Sequence, residues 1–244
     1  MKFRILSFLS LCLFILTSCN FSEDIYINED GSGKLSFKFD GSDLMALAGD
    51  EIAKESEEKY DTVMNFKDFL IEKKDSIATL SQAEQERLKQ LERFAMRMTM
   101  DMGKKDLLMD MYTDFESVAE LDNMMTTFSK LGGASTEGLG AASAPELGEG
   151  TTVEYKFDGN IFRRRGYISN EAVFQQALDS IGKMETFFSS STYKLNYHFP
   201  RPIATVSKEQ ALFSEDRKSV TVEASFMEVM KDPTLLDVEI VLKD

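Results

Sequence analysis

The first pattern along the chain is a period of two. Ile25 and Ile27 alternate with polar residues, Asp30-Gly31-Ser32-Gly33 interrupts the run, and Leu35, Phe37 and Phe39 alternate again against Lys34, Ser36 and Lys38. Successive strand side chains point to opposite sides, so this pattern predicts a half-buried hairpin closed by a glycine turn. Asp40-Gly41-Ser42 offers capping oxygens to a helix that opens at Asp43-Leu44-Met45 and continues into the charged stretch 50–59.

The same order returns further on. Phe94, Met96, Met98, Met100 and Met102 occupy every other position, Gly103-Lys104-Lys105 turns the chain, and Leu107, Met109 and Met111 alternate on the way back. Asp114 is the expected cap of a helix with Val118, Leu121, Met124, Met125, Phe128 and Leu131 on one face. In a third unit Val153, Tyr155 and Phe157 face Phe162, Arg164, Gly166 and Ile168 across Asp158-Gly159-Asn160. Ser169 and Asn170 then open a helix whose Phe174, Leu178, Ile181, Met184 and Phe187 point inward. The fourth unit is less regular. It has a strand Tyr193, Leu195, Tyr197, Phe199 closed by Pro200 and Pro202, a strand Val220, Val222, Ala224, a helical turn over 226–230, and a last strand Val238, Ile240, Leu242.

Two helices without a hairpin fall between the first two units. One covers 66–79. The other opens at Ser81-Gln82-Ala83-Glu84, where Ser81 and Glu84 make a capping box. Residues 131–150, LGGASTEGLGAASAPELGEG, hold almost nothing to bury and read as a flexible loop between 19–130 and 151–244. Hairpins on either side can still join. The expected fold class is therefore α+β, one body with an antiparallel sheet built from successive hairpins and helices packed on one face.

The N-terminus is of another kind. Lys2 and Arg4 precede ILSFLSLCLFIL, residues 5–16, an apolar run too short to span a bilayer. A basic start, a short apolar run and a small-residue exit make a secretion signal over 1–18. The exit Leu16-Thr17-Ser18-Cys19 resembles the lipobox of bacterial lipoproteins. That resemblance implies cleavage before Cys19 and a diacylglycerol thioether on its sulfur, with acylation of the new amine as a further step. The competing reading is an ordinary signal with a chance cysteine. Cys12 leaves with the signal, so no thiol remains for a disulfide. Two or three acyl chains hold a protein stably at a membrane, where one is marginal.

Charge narrows the partners. The chain carries −14, and loss of Lys2 and Arg4 leaves 26 basic side chains against 42 acidic ones, a net −16. Such a balance disfavours nucleic acid and anionic head groups.

Candidate chemistry is sparse. The alternating methionines offer soft sulfur to Cu(I), but alternation is also what a buried strand face looks like, and methionine fills cores readily. Core packing is the reading adopted, with no metal and no cofactor. Asn28-Glu29-Asp30-Gly31-Ser32-Gly33 partly resembles a calcium loop, yet Tyr26 stands at its first ligand position and Phe37 where a glutamate belongs, so a tight turn is expected. Arg163-Arg164-Arg165 splits across two strand faces, to pair with the acidic surplus or to form an anion-binding edge. With His198 as the single histidine and no free thiol, Cys–His catalysis and multi-histidine metal sites are excluded within one chain. No GxSxG elbow, P-loop or dinucleotide fingerprint is present. No catalytic residue is assigned.

The lipobox, the Asp30-Gly31-Ser32-Gly33 hairpin and the strand Ser191-Thr192-Tyr193-Lys194-Leu195 together resemble a group of Bacteroidota envelope lipoproteins with no assigned activity. In that phylum a short acidic motif after the cysteine directs some lipoproteins to the cell surface. Ser22-Glu23-Asp24 fits such a motif and fits equally the polar start of the first strand. The function expected from all this is a non-catalytic lipoprotein of the outer membrane, its face undetermined. It would be held at the membrane through the lipid on Cys19 and bind an envelope protein partner or support an assembly. A carrier of a lipid or small apolar ligand is the alternative, and a carboxylate-based hydrolase a third.

Overall fold

The computed structural model describes residues 20–47, 59–122, 124, 148–182 and 185–243. The first hairpin forms where the alternation predicts it. Strand β1 (Asn20–Ile27) pairs with β2 (Gly33–Asp40) in an unbroken antiparallel register from Asn20↔Asp40 to Ile27↔Gly33. Two glycines make the turn possible. Gly31 takes a φ of +82°, open to glycine at no steric cost, and a Cβ on Gly33 would stand 1.9 Å from the Tyr26 carbonyl oxygen.

Ten further strands follow: β3 (Lys59–Asn65), β4 (Ala95–Asp101), β5 (Asp106–Phe115), β6 (Thr151–Phe157), β7 (Ile161–Ile168), β8 (Thr192–His198), β9 (Ile203–Val206), β10 (Leu212–Phe213), β11 (Ser219–Ser225) and β12 (Val238–Leu242). Eight of the twelve form one sheet in the order β10-β11-β8-β1-β2-β5-β4-β3. Strands from both sides of 131–150 therefore share it, joined by the parallel pair β1–β8. The other pairs in this sheet are antiparallel.

Following the register across the sheet puts Phe21 and Ile25, Leu35 and Phe37, Thr113 and Phe115, Leu195 and Tyr197, and Val220 and Val222 on one face, all buried. The opposite face carries Ser22, Asp24, Lys38, Asp110, Lys194 and Glu223. A smaller sheet, β6-β7-β12-β9, packs on the apolar face: Phe162 meets Tyr197 edge-on at 5.0 Å and Phe199 at 5.6 Å. Helices complete the described residues. They are α1 (Ser42–Leu47), α2 (Phe66–Glu72), α3 (Lys74–Ile77), α4 (Gln82–Gln90), α5 (Glu171–Gly182), α6 (Glu185–Phe188) and α7 (Phe226–Lys231), with short 3-10 turns at Val118–Glu120 and Pro233–Leu236. Phe226, fully buried, stacks on Phe21 at 4.3 Å and so fastens α7 to the centre of the sheet.

The α+β class stands, with one qualification: the strands make two sheets rather than one. The third hairpin pairs with β12, through Val238↔Arg164 and Ile240↔Phe162, instead of joining the first two. Other boundaries shift for local reasons. The expected helix from Asp43 toward residue 59 is described only as α1, and Lys59 opens β3, a strand whose mixed sequence KYDTVMN hides its period. Its partner β4 supplies the match, with Met64 opposite Met96 and Tyr60 opposite Met100. The 66–79 helix is α2 and α3, broken at Lys73. Asp114 is not a cap, because β5 runs on to Phe115; Ser117 caps the following 3-10 turn instead. Val118, Leu121 and Met124 are buried, while Met125, Phe128, Leu131, Met184 and the Phe187 side chain lie outside the described residues. Strands β9 and β10 were not expected. At Ser81 the capping box is present in full, Ser81 Oγ accepting from Glu84 N–H and the Glu84 carboxylate from Ser81 N–H.

Candidate functional site

Cys19, the one residue assigned a chemical role, lies outside the described residues. Its covalent neighbour does not. Asn20 is the first residue of β1, paired on one side with Asp40 and on the other with Thr192, whose hydroxyl donates to the Asn20 side-chain oxygen. Strand β1 is an interior strand of the large sheet. A lipid on Cys19 would thus be attached one peptide bond from the end of an interior strand.

Three residues further on, β1 carries a carboxylate into the core. Glu23 has no exposed surface. Its position shares the parity of Phe21 and Ile25, so the strand that buries those two must bury it as well. Four groups meet it. Tyr155 and Tyr197 hydroxyls donate to Glu23 Oε1 at 2.7 and 2.6 Å, and Tyr193 donates to Oε2 at 3.5 Å. Arg164 Nε stands 3.7 Å from Oε2. Glu23, Tyr193 and Tyr197 belong to the large sheet, Tyr155 and Arg164 to the small one. The cluster is a polar bolt through an apolar sandwich.

Electrostatics keep its phenols protonated. Burial, and then the Glu23 charge, push the phenols of Tyr155, Tyr193 and Tyr197 well above the ordinary tyrosine value. Burial works against the Arg164 charge, yet the surrounding Tyr155, Glu23, Tyr197 and Tyr193 more than offset it, and the guanidinium is held above its usual range. Arg164 also donates to the Leu236 carbonyl at 3.4 Å, while its Nε finds no acceptor within hydrogen-bond distance. The enclosed carboxylate has donors on both oxygens and no route to solvent, so the arrangement fixes two sheets in register.

The outer face presents a second polar group. Tyr26 stacks on His198 with ring centres 4.0 Å apart and planes within 4°. His198 Nδ1 and Ser219 Oγ are 2.8 Å apart. Partial burial lowers the imidazole's pKa, with Asp24 pulling the other way. At the end of the sheet away from Asn20, two shallow clefts flank the Asn28–Ser32 turn. One, of about 310 Å³, is lined by Tyr26, Ser32, Lys34 and Asp114 among others. The other, of about 490 Å³, lies between that turn, the Asp158-Gly159 turn and Ser117. Arg201 ties this end together, donating to the carbonyls of Lys243 and Gly159 and facing Glu29 at 3.4 Å.

The remaining candidates are placed as follows. Asn28–Gly33 is a tight turn in which Asp30 Oδ1 accepts from Ser32 N–H and hydroxyl. Among the described residues no group of three His, Cys, Asp or Glu side chains is set to hold a metal. Met96 and Met111 pack against the core and Met102 is buried, but Met98, Met100 and Met109 are half-buried, because the described contacts of the smaller sheet fall on β1 and β8. The arginine triplet divides: Arg163 pairs with Glu239 at 2.6 Å, Arg165 is exposed, and Arg164 enters the core. Ser22-Glu23-Asp24 is part of β1, with Glu23 and Asp24 buried and Ser22 Oγ bonded to Asp24. Glu23 was missed as a core residue, although its parity with Phe21 and Ile25 was the available signal. No helix among the described residues is long and apolar enough to cross a membrane.

No family model matches the chain, and no curated protein matches it. Among solved structures, the chain is similar to the folded domain of LppM from Mycobacterium tuberculosis, determined by NMR. The TM-score is 0.41 at 9% identity, over 95% of each chain. A likeness at that level decides neither fold nor function.

Proposed function

We propose that this protein is a non-catalytic envelope lipoprotein. Its body sits directly on the Cys19 lipid and offers the opposite end of the sheet to an envelope protein partner. The observation that carries the reading is that Asn20, next in sequence to the lipobox cysteine, is paired on both sides in an interior strand. From there the strand runs away from the anchor. It ends at Ile27, beside the Asn28–Ser32 turn and both clefts. Turns held rigid by a sheet are where binding residues concentrate.

The core supports the non-catalytic part. Its buried carboxylate is saturated with phenolic donors, and its rings fill the space between layers: Phe21 on Phe226, Phe188 5.2 Å from Phe226, Phe162 on Tyr197. Rings in mutual contact give the carrier alternative no support.

A photo-crosslinking residue at Lys156, on the rim of the larger cleft, tests the reading in native membranes. A discrete protein adduct from Lys156 and none from Thr192 is the expected result. Adducts from Thr192 alone would overturn it.

A further inference from the structure

The register of the large sheet shows which part of the body lies nearest the anchor. Asn20 is level with Asp40, and Asp40 with Leu108. Strands β4 and β5 do not stop there. They continue through Met100↔Leu107 and Asp101↔Asp106 to the turn at 102–105. From Leu108 to Asp106 is two residues, roughly 7 Å at the rise of a strand, and the turn lies beyond them. The β4–β5 hairpin therefore overhangs the first residue of β1 on the anchor side.

The side chains on this overhang suit an interface between oil and water. Met100 and Leu107, half-buried, stand opposite each other on one face, and Tyr60 beside them is 42% exposed. On the other face Leu108 is 46% exposed. Lys104 is exposed at the tip, with Lys105 next to it, and Lys59 flanks them with its ammonium 3.0 Å from Asp101. Asp106 closes the turn. Apolar stems under ammonium groups, with a tyrosine at the boundary, fit the head-group layer of a phospholipid bilayer. The net charge of the rest of the molecule opposes adsorption, so the lipid anchor is what brings the hairpin there.

We infer that the β4–β5 hairpin tip rests in the phospholipid head groups of the membrane that holds the Cys19 lipid, giving the body a fixed stance with its clefts outward. This rests on the lipidation reading above. If Cys19 is the attachment point one bond from Asn20, the overhanging hairpin lies on the anchor side of the sheet.

The test uses full-length lipidated protein purified from membranes and reconstituted in phosphatidylcholine–phosphatidylethanolamine vesicles. With the Cys19 sulfur in thioether linkage, a single introduced cysteine carries the fluorophore: Lys104→Cys at the tip, Leu108→Cys at the level of Asn20, Glu116→Cys at the far end. Lipids with a head-group nitroxide should quench the label at 104 most, at 108 less, and at 116 not at all. Equal fluorescence at 104 and 116 in protein whose N-terminal peptide carries lipid would overturn the hairpin contact and leave the anchor intact. A blue-shifted but unquenched label at 104 would also overturn it, since protein rather than lipid would then cover the tip. An N-terminal peptide without lipid would instead overturn the anchor reading.

Discussion

Glu23 and Arg164 are 141 positions apart in sequence and 3.7 Å apart in the core, and each is costly without the other. Removing one partner of a buried pair leaves an uncompensated charge, at a cost of about 3–5 kcal/mol, whereas removing both together is far milder. Glu23→Gln and Arg164→Met should each lower unfolding stability by about that amount, and the double variant by much less than their sum, as urea titration would show. The three phenols add a pH dependence. Their folded pKa values lie above the ordinary value of 10.0, so unfolded tyrosines ionise first. The stabilisation is whole below about pH 10 and falls as pH rises beyond it, by about 1.4 kcal/mol per pH unit for each tyrosine that ionises only when unfolded. Tyr197→Phe should make the alkaline limb of that curve shallower. Little of this was legible in the sequence. Arg164 lies on the parity of Phe162, as Glu23 does on that of Phe21, but a charged residue at an apolar position reads as an interruption until its partner is known.

At the level of elements, period-two runs translated directly: β1, β2, β4 to β8, β11 and β12 all fall on alternating stretches. Strand β3 did not, since Lys59, Asp61 and Asn65 owe their places to β4 across the ladder, where Arg97 holds Asp61 by two hydrogen bonds at 2.9 and 2.7 Å. Edge strands with one polar, solvated side carry the weakest signal. Alternation predicts a core face for the methionines of β4, and Met96, Met98 and Met100 are half-buried, as contact partners far along the chain decide depth. Met98→Leu and Met100→Leu should still each cost under about 1.5 kcal/mol, as volume-conserving changes do, with no stoichiometric Cu(I) bound before or after. Copper binding lost in those variants would contradict the packing account. Ser81→Ala removes the hydroxyl that accepts from Glu84 N–H, leaving the bond from Ser81 N–H to the Glu84 carboxylate, and should cost about 1 kcal/mol in thermal or urea unfolding.

For the whole molecule, the large sheet joins the chain's two halves through β1–β8, so cleavage between them should not part them. An acid-specific protease acting after Glu137 or Glu146, the sites that composition marks, should give two fragments that co-elute natively. Fragments that separate as folded species would make the protein two domains on a tether. The proposed attachment was legible only in part: the exit Leu16-Thr17-Ser18-Cys19 pointed to Cys19, but that Asn20 lies in an interior strand of the sheet came from register alone. The proposed stance and outward clefts depend on that attachment. Mass spectrometry of the N-terminal peptide from membrane-extracted protein tests it most directly. The expected result is a peptide beginning at Cys19 with a diacylglycerol thioether, and an unlipidated precursor or soluble protein from Cys19→Ser. A mature peptide with a free Cys19 thiol, or one cleaved elsewhere, would contradict it.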